Sequence, residues 1–200
     1  MKLNKNLIRR LSLVWLIMAI SAASAQNSAV LDSSGQPLRR GVEYIIKPAI
    51  TDNGGPFTLI DRNGSCPFYV GQRNVTADGI PVTFAPFDDG ENVVRELSSF
   101  KVAFSGATTC EQSTTWKVDH SGKVDGRRLI ATGDDPRYSN YFLINKSGEL
   151  DGVYIIDWCP ADVCPICKFI CGSLGSLFEN GQLLAALDGS ALPLVFDRVV

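Results

Sequence analysis

Val30-Leu-Asp-Ser-Ser-Gly-Gln-Pro-Leu-Arg-Arg-Gly-Val-Glu-Tyr-Ile-Ile46 is the stretch whose pattern sets the reading of this chain. It closes on Tyr44–Lys47, a short run rich in aromatic and β-branched residues, and Gly35, Pro37 and Gly41 interrupt the approach to it too often for a helix. Runs of the same kind recur at Phe57–Asp61, Phe68–Gln72, Pro81–Phe84, Val93–Glu96, Lys101–Phe104 and Thr115–Val118. They continue at Arg128–Thr132, Tyr141–Asn145, Val153–Asp157, Leu183–Ala185 and Leu194–Phe196. Asn53-Gly-Gly, Asp78-Gly, Asp89-Gly, Ser147-Gly and Asn180-Gly supply turns between them. Helical periodicity is almost absent; Leu174–Leu187 is the one helix candidate, and Gly175 and Gly181 interrupt it. Twelve short strands with turn residues between them predict an all-β barrel or sandwich. They divide into three sets of four, in which Phe100–Phe104, Tyr141–Asn145 and Leu194–Phe196 are loosely equivalent.

The chain has 200 residues, 45% of them apolar, and a formal net charge of −2, which fits one domain with a real core and not a disordered segment. A nucleic-acid binder would carry a basic excess. Residues 1–25 read as a signal peptide: Lys2, Lys5, Arg9 and Arg10 are followed by a largely apolar run over Leu11–Ala22 and the small residues Ala23-Ser24-Ala25. A membrane anchor would need about 20 apolar residues. Cleavage removes four basic residues and no acidic ones, leaving 15 Lys+Arg against 21 Asp+Glu, a net charge of −6. The expected product, residues 26–200, is one acidic domain in the secretory pathway, extracellular or vacuolar, with no membrane attachment after cleavage.

Secretion sets the meaning of the six cysteines, 66, 110, 159, 164, 167 and 171. In an oxidising compartment an even count reads as three disulfides. The cluster Cys159-x4-Cys164-x2-Cys167-x3-Cys171 has rival readings as a metal site or, at Cys164-Pro-Ile-Cys167, a redox pair. Structural zinc prefers separated cysteine pairs or histidine, and the single histidine, His120, is far away in sequence. Six cysteines allow 15 pairings; the simplest joins Cys66 to Cys110 and closes the last four locally. The sequons at Asn63, Asn74 and Asn145 predict exposed loops or turns able to carry glycans. His120 precedes Ser121-Gly122 and reads as a solvated turn residue, so no catalytic constellation is left to assign. Trp116 and Trp158 read as core or barrel-edge aromatics, and Arg39-Arg40 and Arg127-Arg128 as solvated faces. No metal or cofactor is expected.

Leu31-Asp32, Gly35, Pro37-Leu38, Gly41 and Tyr44-x-Ile46 closely resemble the N-terminal signature of the plant Kunitz (soybean trypsin inhibitor) family. The likeness continues through Cys66-Pro67, Gly79-Ile-Pro-Val82, Val93-Val-Arg95, Trp116-Lys-Val-Asp119 and Leu184-Ala-Ala-Leu187. The C-terminal cysteine cluster looks most like the miraculin-like branch, with one extra residue between its first two cysteines. The resemblance implies a β-trefoil, a six-stranded barrel capped by three hairpins with pseudo-threefold symmetry. It also implies the pairs Cys66–Cys110, Cys159–Cys171 and Cys164–Cys167.

By the same resemblance the activity is protease inhibition, with a serine or cysteine protease as partner and the chain as a monomer. An exposed loop enters the protease like a substrate, and its rigidity removes most of the ordering cost of binding. Here that loop falls on Pro86, Phe87, Asp88, Asp89, Gly90, Glu91 and Asn92, with Asp89 (or Asp88, if Pro86 is the anchor) in the primary position. Trypsin's primary pocket holds a buried acid, so an Asp there is a like-charge clash. Inhibitory relatives support the loop with an Asn before the Gly of the N-terminal motif; here Arg40 precedes Gly41 and is expected to pair with Asp88, Asp89 or Glu91. The expected function is a protease inhibitor with an acidic loop that is a poor match for trypsin. The alternative is a non-inhibitory miraculin-like, storage or ligand-binding protein on the same scaffold.

Overall fold

Strand β4 (Val82–Pro86) buries Val82, Phe84 and Pro86 and turns Thr83 and Ala85 outward, the period-two signature of a half-buried strand. The same rule sorts β1 (Glu43–Pro48), β5 (Phe100–Phe104), β9 (Tyr154–Trp158) and the first residues of β13 (Leu194–Arg198). The computed structural model describes residues 27–50, 52, 54–62, 64–73, 78–148 and 150–199. The remaining strands are β2 (Phe57–Ile60), β3 (Tyr69–Gln72), β6 (Trp116–Val118), β7 (Ile130–Thr132), β8 (Leu143–Lys146), β10 (Gly172–Ser173), β11 (Gly175–Glu179) and β12 (Gln182–Ala186). The described residues contain no α-helix.

Six strands form a barrel. β1 lies antiparallel between β13 and β4, β4 pairs with β5, and β9 pairs with β8 and β13. The ring closes between β5 and β8, where Phe100 and Phe142 exchange backbone hydrogen bonds of 2.8 and 2.9 Å. The hairpins β2–β3, β6–β7 and β11–β12 form the second sheet, in which β3 touches both β12 and β7. The barrel and its three hairpins make a β-trefoil, each repeat giving two strands to the barrel and one hairpin to the cap. At its centre the Phe84 ring meets Tyr44, Phe100 and Phe196 at centroid distances of 5.8, 5.4 and 5.7 Å, and all four residues are buried.

Leu174–Leu187, the helix candidate that Gly175 and Gly181 interrupt, holds β11 and β12, joined through Asn180 (φ 49°) and Gly181 (φ 80°). Two consecutive positive φ values are the signature of a type I′ hairpin turn, and Asn-Gly is the pair that tolerates it best. One expected strand is corrected: Val93–Glu96 makes only single bridges, Val93 to Arg39 and Arg95 to Ala29.

Disulfides join Cys66 to Cys110, Cys159 to Cys171 and Cys164 to Cys167. Residues 1–25, expected as a signal peptide, and the sequons Asn63 and Asn74 lie outside the described residues. Asn145 is not in a loop: it stands half-buried in β8 and its amide donates to Asp157.

Candidate functional site

The β4–β5 connection carries the loop. Pro86, the last residue of β4, is buried, and the next four residues, Phe87, Asp88, Asp89 and Gly90, are all exposed. Backbone bonds brace both feet: Phe87 N donates to Ser99 O at 2.8 Å, and Arg40 N donates to Asn92 O at 3.0 Å. The tip is a turn in which Glu91 N donates to Asp88 O at 3.1 Å.

Arg40 supports this loop from behind, although not through a carboxylate. Its Nη2 donates to the carbonyls of Pro86 (3.0 Å) and Asp88 (2.9 Å), and its Nε donates to the carbonyl of Glu91 (3.2 Å). The expected ion pair with Asp88, Asp89 or Glu91 is therefore replaced by main-chain contacts. A planar guanidinium with donors in a fixed fork suits carbonyls that converge from one turn.

The three loop acids have separate fates. Asp88 Oδ1 accepts from Gly90 N at 2.9 Å, the local bond typical of Asp in turns. Glu91 folds inward, accepting from Arg95 Nε (2.7 Å), Asn92 N (2.9 Å) and Val93 N (3.0 Å). The Arg95 guanidinium, aided by the Val93 amide, holds the Glu91 carboxyl below the usual glutamate range. Asp89, exposed at the tip like Asp88, makes no side-chain hydrogen bond or ion pair among the described residues. Beside it Phe87 lies edge-on against Tyr141 at 5.3 Å, and Lys101 Nζ sits over the Tyr141 ring at 4.8 Å.

Two supports were not visible in the sequence. Asp162, in the C-terminal cysteine cluster, accepts from Ser99 N at 2.8 Å and from the Ser99 hydroxyl. This fastens the base of the loop to the disulfide-bridged segment across 63 residues of chain. Arg95 adds a bond to Asn27 O at 3.1 Å. A single Asp among polar residues gives no sequence signal for such a contact, and Glu91–Arg95 spacing reads as significant only on a helix. A cleft of about 360 Å³ lies between Phe87, Glu91, Arg95, Ser99 and Asp162.

Elsewhere, Trp116 and Trp158 are buried, and exposed His120 packs edge-on against Trp158 at 5.4 Å. The arginine pair is no solvated face. Arg127 donates to the carbonyls of Leu187, Ser176 and Ala186, and buried Arg128 pairs through two bonds with Asp188. Among the described residues no group of three or more His, Cys, Asp or Glu side chains is placed to hold a metal ion.

Comparisons with known proteins agree with this architecture. The chain is 43% identical to Kunitz type trypsin inhibitor 104 of Medicago truncatula, over 92% of this chain and 93% of that protein. The fold is similar to alocasin, a protease inhibitor from giant taro (Arum macrorrhizon): TM-score 0.75, 30% identity, 86% of this chain and 99% of that one. It is also similar to PCPI-3, a Kunitz-type cysteine protease inhibitor from potato: TM-score 0.74, 28% identity, 87% of this chain and 98% of that one. Residues 30–198 match the Kunitz_legume family, described as trypsin and protease inhibitor, and the chain belongs to that family.

Proposed function

We infer that the chain is a secreted protease inhibitor, monomeric and delivered to the extracellular space or the vacuole, that presents residues 86–92 to its target. The observation that carries this reading is the Arg40 fork, whose three bonds to main-chain carbonyls hold the loop without using any of its side chains. A loop fixed in this way gives up little conformational freedom on binding, so a standard-sized interface yields tight association. Its outward side chains stay free for recognition.

The chemistry of those side chains sets the target class. Asp89 projects from the tip and places a carboxylate where trypsin's pocket already holds a buried acid, a clash of several kcal/mol. A protease that accepts an acidic residue matches it instead. Cysteine proteases engaged through another loop are the second class, in line with the potato relative's description. The test is incubation of the purified protein, without residues 1–25, with a panel of serine and cysteine proteases that includes trypsin and a glutamate-specific endopeptidase. Inhibition of one or more at micromolar concentration or below supports the reading. No inhibition across the panel overturns it in favour of a non-inhibitory member of the family.

A further inference from the structure

On the barrel, at the end of β9, four rings stand together. Trp158 is met edge-on by His120 at 5.4 Å and by Phe169 at 5.4 Å, and Phe169 meets Tyr138 at 4.8 Å. Arg128 covers Trp158 at 5.1 Å from its ring and is held there by Asp188, through bonds of 2.7 and 2.5 Å. These rings wall a cleft of about 480 Å³, bounded by the β6–β7 turn, the β7–β8 loop and the disulfide-bridged segment near Cys171. That volume is within the range of small-ligand sites, which combine apolar walls with a few charged groups.

The charged groups at its rim are unbalanced. Lys123, Arg137 and Lys168 line the cleft, and among the described residues none has a carboxylate within ion-pair distance. The acid in the lining, Asp135, is turned to its own loop, where Oδ1 accepts from Arg137 N at 2.6 Å. Arg128 is already neutralised by Asp188. Lys123 lies in the field of Asp188 and Arg137 in that of Asp135, yet Lys123, Arg128, Arg137 and Lys168 outnumber these two acids around one aromatic cleft, on a chain whose formal charge is −2 overall. Solvated lysines scattered over a surface need no explanation, but cations gathered over a rigid aromatic floor create a local positive potential next to apolar surface.

We propose that this cleft binds a small anion carried on an aromatic or other apolar body, such as an aromatic carboxylate, with the rings taking the body and Lys123, Arg137 and Lys168 the charge. The site is separate from the 86–92 loop and uses none of its residues.

Isothermal titration of the purified protein with 2-naphthoate in low salt tests this, with 2-naphthalenemethanol as the uncharged match. Naphthoate is expected to bind saturably with one-to-one stoichiometry, and the alcohol about tenfold more weakly. Lys168→Gln and Arg137→Gln, both at exposed positions, are each expected to weaken naphthoate by about two- to fivefold. Phe169→Ala is expected to weaken both compounds, with circular dichroism checking that its fold is kept. Equal affinity for the acid and the alcohol, unchanged affinity in both charge variants, or no saturable heat with naphthoate would each overturn the proposal.

Discussion

Arg40 donates through Nη2 to the backbone carbonyl of Asp88 at 2.9 Å, while the Asp88 carboxylate turns away to cap the Gly90 amide. Support and recognition are thereby divided between main chain and side chain. An ion pair in the same place would have tied the loop's acidity to the scaffold.

Arg40→Ala removes all three loop bonds and leaves carbonyls that water can partly satisfy. The expected loss of global stability is modest, about 1–2 kcal/mol, while residues 86–92 lose protection from hydrogen exchange and proteolysis. Arg40→Lys is expected to rescue little, because an ammonium cannot reproduce the fork. Exchange rates over the loop that match wild type in Arg40→Ala would contradict the supporting role.

Asp32 makes the clearest acid-sensitive contact. It is buried and accepts from Ser34 N (3.0 Å), Ser34 Oγ (2.6 Å), Gln36 N (2.9 Å) and Arg198 Nε (3.0 Å), joining the N-terminal motif to the last strand. Burial opposes ionisation, yet the hydrogen bonds from Ser34, Gln36 and Arg198 win and hold its carboxyl below the ordinary aspartate range. A lowered folded pKa gives stability that is complete above the unfolded value, about 4, and is lost as pH falls through the folded one. Asp32→Asn is therefore expected to cost about 2–3 kcal/mol at pH 7 and much less near pH 2. Chemical denaturation at the two pH values checks this; an equal cost at both would contradict it.

Much of the architecture was legible because β-branched and aromatic runs between turn residues declare strands directly, and eleven of the twelve proposed runs overlap strands of the structure. In Leu174–Leu187 the leucines mimic helical spacing, but Gly175, Gly181 and the Asn180-Gly181 turn signal point away from a helix, and the stretch is the β11–β12 hairpin. Val93–Glu96 has strand composition but follows the braced loop directly and pairs only through single bridges to Arg39 and Ala29, so tertiary contacts override propensity there. The place of the acidic loop was legible, but its inner wiring was not. Arg40 reaches carbonyls, which every residue has, and Asp162 reaches Ser99 from the far end of the chain; neither leaves a pattern in composition or spacing.

Arg127 shows how misleading a basic pair can be. It donates to three carbonyls at 2.7–3.1 Å, and a Cβ at Gly189 would lie 2.4 Å from its guanidinium carbon. Arg127→Met is expected to cost about 2–4 kcal/mol through the orphaned carbonyls. Gly189→Ala must displace Arg127 and is expected to destabilise through the same contacts, so the two costs should not add. Additive losses in the double variant, measured by denaturant unfolding, would contradict this.

The Cys66–Cys110 bridge closes a loop of 44 residues that includes β4, β5 and the acidic loop. Replacing both cysteines by alanine is expected to cost about 2–5 kcal/mol, seen as a lower unfolding midpoint. A midpoint unchanged from wild type would show that the barrel alone fixes this region.

The most direct test compares inhibition constants of the wild-type protein and Asp89→Arg against trypsin and against a glutamate-specific endopeptidase. If Asp89 leads the protease-facing loop, the substitution tightens trypsin binding by about two orders of magnitude, ~3 kcal/mol, and weakens binding to the acid-accepting enzyme. Constants that move for neither protease would contradict the assignment of residues 86–92 as the inhibitory loop.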